Sequence, residues 1–458
     1  MALSATIIWE VQNGGSDTNG GGYKSDAGTT DYSRQPAAQL ALSDVACTTG
    51  GVVVTSVTGG FTAAMVGNVC YISGANFTTG WYEITAHTDS NTIEVDRDPT
   101  NGSDGSSGTL NVGGAFATFG QIGKVLADHG VSGMSAFVKY HATPYDIDSA
   151  SYNVSGGAVQ LANDRTYTIT GYSTTREVGN NDADMPTIQV VGCVPDSAID
   201  MLNTTDDQTQ MIENLIFDSD DNNLSVVVEG HSFGSDAENI ARRVNVYCSD
   251  VADIGFYGLI AIECKAYEAE DYGFQLCDTT SCYAEGCGGG FVNPVEASHC
   301  VAYDNGYGFQ NCGRPKWCTA IGGAYGFGTT FGDASLAENC IAVGSSAYGF
   351  VAFGASRPWV LINCATGLVG ARVDHVLHDI GKIELDDATD SDELNYFVDP
   401  SNGDWRLSSE AAAAKTTATY VPTSDNNQTQ DIGAVQHADP TASSGGTPVF
   451  GGMVQRRA

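Results

Sequence analysis

The stretch from Ala297 to Phe327, ASHCVAYDNGYGFQNCGRPKWCTAIGGAYGF, repeats itself: Cys300-Val-Ala302 returns as Cys318-Thr-Ala320, and Tyr307-Gly-Phe309 as Tyr325-Gly-Phe327, eighteen residues on and in the same order. That period is too long for one hairpin and too short for a domain, so it marks one structural repeat stacked on the next. It extends both ways. A cysteine column runs Cys264, Cys282, Cys300, Cys318, Cys340 and Cys364, and Ala266, Ala284, Ala302, Ala320 and Ala342 follow it at two residues. A second column is Phe256, Phe274, Phe291, Phe309, Phe327 and Phe350, nearly always preceded by Gly. Residues two apart on a strand share a face, so Cys and Ala point into one interior. The Gly supplies a turn geometry before the Phe re-enters the core. Such coils, each with three short strands and stacked like on like, make a parallel β-helix. A propeller needs about forty residues per blade, a leucine-rich repeat needs its leucines, and left-handed coils need a six-residue subperiod that is not found. The expected hand is therefore right.

Composition agrees with an all-β chain: 56 Gly and 16% charged residues leave the polar surface to Asn, Asp, Ser, Thr and Gly. The balance of 55 acidic to 19 basic residues, a net −36, disfavours nucleic acid and anionic membrane surfaces as partners. Asp218, Asp220 and Asp221 are dense but lack the spacing of a calcium loop. No cysteine pairs have zinc-site spacing, so neither metal nor cofactor is expected. MALSATIIWEVQNGG lacks the basic region, apolar core and cleavage site of a secretory signal, and no apolar run is long enough to span a bilayer. With 13 cysteines, the expectation is folding in a reducing cytoplasm with free thiols. Stacked cysteines about 4.8 Å apart could bridge, but small buried Cys packs well as a hydrophobe.

Five segments are expected. Residues 1–30 open the coil. Residues 31–112, whose alternation is carried by GVVVTSV, NVCYIS, GWYEITA and NTIEVD, form an inserted small β-barrel or sandwich. A capping helix lies in 113–133, with Thr118 and Gln121 as a capping box, an apolar face of Phe119, Ile122, Val125, Leu126 and His129, and Gly130 at its end. The parallel β-helix occupies 134–437, and 438–458 is a tail.

The sequence GGSDTNGGGY from Gly14 to Tyr23, followed by GGAFATFGQIGKVLA, resembles the opening motif of pectate-lyase-like right-handed parallel β-helix proteins. TITGYSTTREVGNNDADMPTIQV, Thr168 to Val190, is similar to an early coil of many such proteins from phage and environmental viral genomes. DWRLSSEAAAAKT and DIGAVQ resemble the closing coil of the same superfamily, although Glu410 and an alanine run stand where its Ser-Pro-Ala would be, and Phe116 follows Ala rather than Pro. These are scaffold motifs and inform fold more than function. The resemblance implies a virion protein of spike, fibre or decoration type, and a homotrimer.

Sugar-cleaving chemistry would need paired carboxylates. Glu268 and Asp304, four residues past the cysteine column, with Glu285 between them, are the candidates. Two coils separate Glu268 from Asp304 by about 9.6 Å, at the upper limit for an inverting pair. The same column holds Gly286, Gly322 and Gly344, as a solvated turn would. Arg314-Pro315-Lys316-Trp317 and Arg357-Pro358-Trp359 could give a glycan-stacking platform through Arg314, Trp317, Arg357 and Trp359. No Ser-His-Asp order, phosphate loop or dinucleotide fingerprint appears. In the tail, Phe450, Met453, Arg456 and Arg457 make an apolar, basic docking peptide. The functional expectation is a phage virion structural protein at the particle surface, contacting the major capsid protein and host polysaccharide. The alternatives are a polysaccharide depolymerase and a bacterial adhesin.

Overall fold

The computed structural model describes residues 3–4, 6–129, 133–147, 159–161, 166–179, 184–190, 197–203, 209–219, 225–232, 238–248, 254–294, 296–329, 336–352, 359–362, 364–367, 372–373, 376–380, 383–385, 397–399 and 404–407. It divides into two compact units, 1–244 and 245–458.

In the second unit the chain winds through three parallel sheets. The first contains Ile260–Ile262, Asp278–Thr280, Glu296–Ser298, Arg314–Lys316 and Leu336–Glu338; the second contains Lys265–Tyr267, Tyr283–Glu285, Val301–Tyr303, Thr319–Ile321 and Ile341–Val343. The third contains Tyr272–Gln275, Gly289–Val292, Tyr307–Gln310, Tyr325–Thr329 and Tyr348–Ala352. Register pairs Tyr283 with Val301 and Val301 with Thr319, so each strand lies on its own repeat eighteen residues on. The protein is a parallel β-helix.

Strands of three to five residues fit only if each corner is sharp. Each corner is made by one residue in the left-handed region: Ser281 (φ 56°), His299 (φ 56°) and Trp317 (φ 50°) between first and second sheets, and Glu268 (φ 58°), Gly286 (φ 68°) and Asp304 (φ 50°) between second and third. This conformation costs roughly 1–2 kcal/mol at a non-glycine residue. The ladder offsets that cost, because corner N–H groups donate to the next coil: Glu268 to the Glu285 carbonyl at 2.9 Å, Asp304 to Ile321 at 2.8 Å, Trp317 to Glu338 at 2.9 Å.

The residue after the corner turns inward, and at the first corner it is the cysteine. Cys264, Cys282, Cys300, Cys318, Cys340 and Cys364 are buried free thiols. Their Sγ atoms donate to backbone carbonyls, as Cys300 does to Ser298 at 3.2 Å. Burial raises the Cys282 and Cys312 thiols and pushes Cys277 up to about 12. On the third sheet Phe256, Phe274, Phe291, Phe309, Phe327 and Phe350 stack with ring centroids 4.7–4.9 Å apart and planes within 7°. Glycine precedes them for a steric reason: a Cβ on Gly308 would sit 2.6 Å from the Gly326 carbonyl oxygen and 2.9 Å from the Ala320 Cβ.

In the first unit, Leu40–Cys47, Val53–Ser56, Thr92–Val95, Gly80–Asp89, Val69–Ser73 and Gly105–Val112 close in that order into an antiparallel barrel around Val45, Val54, Ile72, Ile84, Ile93 and Leu110. Closure comes from Leu40–Cys47 pairing with Gly105–Val112, which resolves the barrel-or-sandwich expectation in favour of a barrel. The opening motif fastens it. Gly20 and Gly21 admit close neighbours, since a Cβ would lie 1.9 Å from the Val69 carbonyl oxygen and 2.1 Å from the Phe116 ring respectively. Phe116 stacks on Trp9 at 5.7 Å and meets Trp81 edge-on, and the Trp81 indole donates to the Asn19 carbonyl at 3.1 Å.

The helix, Gly120–His129, buries Phe119, Ile122 and Val125, and Phe119 meets Phe217 of the coil edge-on at 6.2 Å. Its start departs from the capping box. Asp17, the aspartate of the opening motif, accepts from the Ala117 and Thr118 amides at 3.0 and 3.1 Å and from the Thr118 hydroxyl at 2.8 Å. With Thr118 engaged there, the buried Gln121 Nε2 has no partner among the described residues. A carboxylate a hundred residues away does the work assigned to a local side chain. Coil lengths here are uneven: Met134 pairs with Tyr167 and Tyr167 with Gln210.

Truncating one ring of the phenylalanine stack should open a cavity that neighbouring coils cannot fill. Phe309→Ala is expected to lower unfolding free energy by about 3–5 kcal/mol in urea denaturation, and Phe309→Leu by clearly less. Equal losses would show that ring stacking, not filled volume, holds the column.

Candidate functional site

The sequence candidates lie on coil corners and adjoining strands of the second unit. Glu268 and Asp304 are exposed and share one corner column, with Gly286 between them and Gly322 beyond. The Glu268 Cγ lies 3.6 Å from where a Gly286 Cβ would stand, so the column is continuous. Two coils at about 4.8 Å each separate the two acids. Glu285 is not a corner residue; it ends a second-sheet strand, half-buried, and accepts from the Tyr283 hydroxyl at 3.0 Å. The structure thus gathers the three at one edge and supplies a fixed hydrogen-bond partner to Glu285.

Trp317 is a corner residue whose indole stacks on His299 at 5.1 Å and 14°. Burial lowers the His299 pKa, which favours the neutral ring in that stack. Arg314 is 64% exposed and lies 4.0 Å from Glu296 on the preceding coil. Trp359 opens the strand Trp359–Ile362, whereas Trp317 follows its strand, so the two Arg-Pro motifs occupy different places in the coil. Arg357, the docking candidates Phe450, Met453, Arg456 and Arg457, and Asp220 and Asp221 lie outside the described residues. Among the described residues no group of three His, Cys, Asp or Glu could hold a metal ion, and no helix is long and apolar enough to cross a membrane.

A denser polar constellation, absent from the sequence reading, lies in the first unit. Register sets Glu10, Phe137, Thr170 and Glu213 in one row across four parallel strands. Both end members are fully buried carboxylates. Glu10 accepts from the Tyr172 hydroxyl and from Arg176, whose Nη2 is 2.6 Å away; Arg176 also pairs with Asp31 at 2.8 Å and lies over the Phe137 ring. Glu213 accepts from the Thr170 hydroxyl at 2.9 Å, the Gly179 amide at 2.7 Å and Arg242 Nε at 2.9 Å. Residues 173–179 are therefore tied down at both ends of the row, by Arg176 and by Gly179. The clues were Glu10 within the apolar strand IIWEV and the pair Arg242-Arg243 within an alternating strand. Neither fits a half-buried strand without a buried partner of opposite charge.

Both carboxylates are occupied by donors, so the row acts as an electrostatic clamp that fastens the opening strand to the coil. Desolvation raises the Glu10 pKa above its ordinary 4.5 against the pull of Arg176. The unfolded chain gives up that proton first, so the contribution of Glu10 is full below pH 4.5 and is lost as pH rises through the folded value. In urea denaturation, wild type is expected to gain on Glu10→Gln as pH falls toward 4.5. The opposite trend would show that Arg176 outweighs burial.

No family model matches this chain, and no curated protein matches it. Among solved structures it is similar to pectate lyase Pel9A (13% identity, TM-score 0.42, covering 71% of this chain and 92% of that one). It is also similar to the A-module of the Azotobacter vinelandii mannuronan C-5 epimerase AlgE4 (12%, 0.31, 56% and 84%) and to the tailspike protein gp49 of Pseudomonas phage LKA1 (11%, 0.20, 72% and 46%). The assignment of the coil rests on this chain's own strand register.

Proposed function

We propose that this protein is a structural component of a phage particle, a spike, fibre or capsid-surface decoration assembled as a homotrimer. The observation that carries this reading is the column of buried, unbridged thiols inside a strongly acidic chain of net −36. Free thiols fit folding in a reducing compartment, and an acidic, weakly basic surface fits service in solution outside it. A particle component folds inside its host and works outside. The outer face of the first sheet, with Asp278, Thr280, Glu296 and Arg314 exposed, supports contact with host glycans. The barrel supports attachment to a capsid protein through Val52, Val53 and Val57, the last 92% exposed.

The second reading, a polysaccharide depolymerase, is favoured by one observation, the exposed pair Glu268 and Asp304 on a single corner column. Mass photometry of the native assembly, with peptide identification of copurifying chains, separates the two. The expected result is three copies of the 47.7 kDa chain, held at a fixed ratio to a major capsid protein. A free assembly that cleaves polysaccharide, and loses that activity in Glu268→Gln, would overturn the structural reading.

A further inference from the structure

Charge is distributed unequally over the three sheets of the unit 245–458. Along the third, the successive strands Ile254–Tyr257, Tyr272–Gln275, Gly289–Val292, Tyr307–Gln310, Tyr325–Thr329 and Tyr348–Ala352 contain no Asp, Glu, Lys, Arg or His. The run ends at the next strand, Arg372–Val373. Over the same coils the first sheet carries Asp278, Glu296, Arg314, Lys316 and Glu338, and the second Lys265 and Glu285. An uncharged stripe of this length stands out in a chain of net −36.

The stripe is not part of the core. Tyr272, Tyr307, Tyr325 and Tyr348 are half-buried, as are Gln275 and Gln310 beside them, while the phenylalanines of the same strands point inside. Tyr307 stacks on Tyr325 at 4.6 Å and 11°, and Tyr325 on Tyr348 at 6.1 Å and 7°. Register puts Gly289 where the column would hold another tyrosine. The Tyr272 ring leans over that place, its Cδ1 3.0 Å from where a Gly289 Cβ would stand, with the Val292 Cγ2 at 2.7 Å, so the column has no open slot. A sugar ring stacks on an aromatic face, and here neighbouring rings turn their faces to one another and their edges outward. Tyrosine with little charge is instead the composition of a protein interface core. Five coil steps of about 4.8 Å by four residues of about 3.3 Å give roughly 300 Å², the size of a patch that marks an interaction site. Leu276, a 48% exposed corner residue, extends it, and the exposed Glu270, Asp271 and Asp304 provide a polar rim.

We infer that the outer face of the third sheet is the surface through which copies of this chain meet. The inference rests on the homotrimer proposed above and assigns its contact. Two chains this acidic repel each other, so they approach best where neither presents a carboxylate. A second copy also has the same rise of about 4.8 Å per coil, so its ring edges and amides recur at the matching pitch. Glutamine amides both donate and accept, which lets Gln275 and Gln310 bond to their own counterparts.

The test measures the native mass of the full chain by mass photometry across a dilution series. Gln275→Glu with Gln310→Glu keeps side-chain size and brings like charges together at the contact, so association should weaken by at least about tenfold at low salt. High salt should restore much of it through screening, which would not happen if the variant had unfolded. Thr280→Glu with Ser298→Glu, on the charged first sheet, should leave the assembly unchanged. Gln310→Cys should be joined between copies by a short bifunctional maleimide in several-fold greater yield than the unaltered chain, and Thr280→Cys should not. An assembly that holds equally well in Gln275→Glu with Gln310→Glu overturns the inference and leaves the homotrimer standing on another face. The same variant losing polysaccharide binding while staying assembled would overturn it in favour of a glycan surface. An unaltered chain that is monomeric overturns both.

Discussion

Everything regular in this protein depends on strand lying on like strand one coil away. Parallel pairing fixes the rise at about 4.8 Å, and a side chain that suits that rise can be repeated without change. Phenylalanine rings meet the condition almost flat, at 4.7–4.9 Å. Cysteine meets it as a small hydrophobe whose thiol can donate to a carbonyl on its own or the preceding coil, as Cys318 does to Ala297 at 3.4 Å. The corners then follow. A coil this short needs a bend at one residue, the left-handed region provides it, and the same inter-coil hydrogen bonds continue through the bend.

Regular coils were legible because the rise converts directly into a sequence period: Tyr283, Val301 and Thr319 are eighteen apart in sequence and adjacent in the ladder. The barrel was legible as alternation, while its closure was not, because pairing of Leu40–Cys47 with Gly105–Val112 joins strands with no periodic relation. The helix was visible as an amphipathic pattern, but its start depends on Asp17, and a hundred-residue separation leaves no local trace. Glu10 and Glu213 were missed for a similar reason. Their row is created by register between residues 127, 33 and 43 apart, as Glu10 pairs with Phe137, Phe137 with Thr170 and Thr170 with Glu213. Uneven coils conceal such a row from any search by period.

The two classes of carboxylate also show why the candidate site was hard to read from residue type alone. Corner positions point outward, lie in a conformation that glycine and aspartate tolerate best, and make their essential bonds through the backbone. Glu268 and Asp304 therefore satisfy the fold without their side chains, and glycine replaces them on neighbouring coils. Buried Glu10 and Glu213 are the opposite case, because each buried carboxyl group depends on the specific donors that meet it. An acid whose fold role is fully met by its backbone is free to vary. Chemistry at such a corner must be recognised by a partner that fixes the side chain, and Glu285, held by the Tyr283 hydroxyl at 3.0 Å, is the member of the trio that has one.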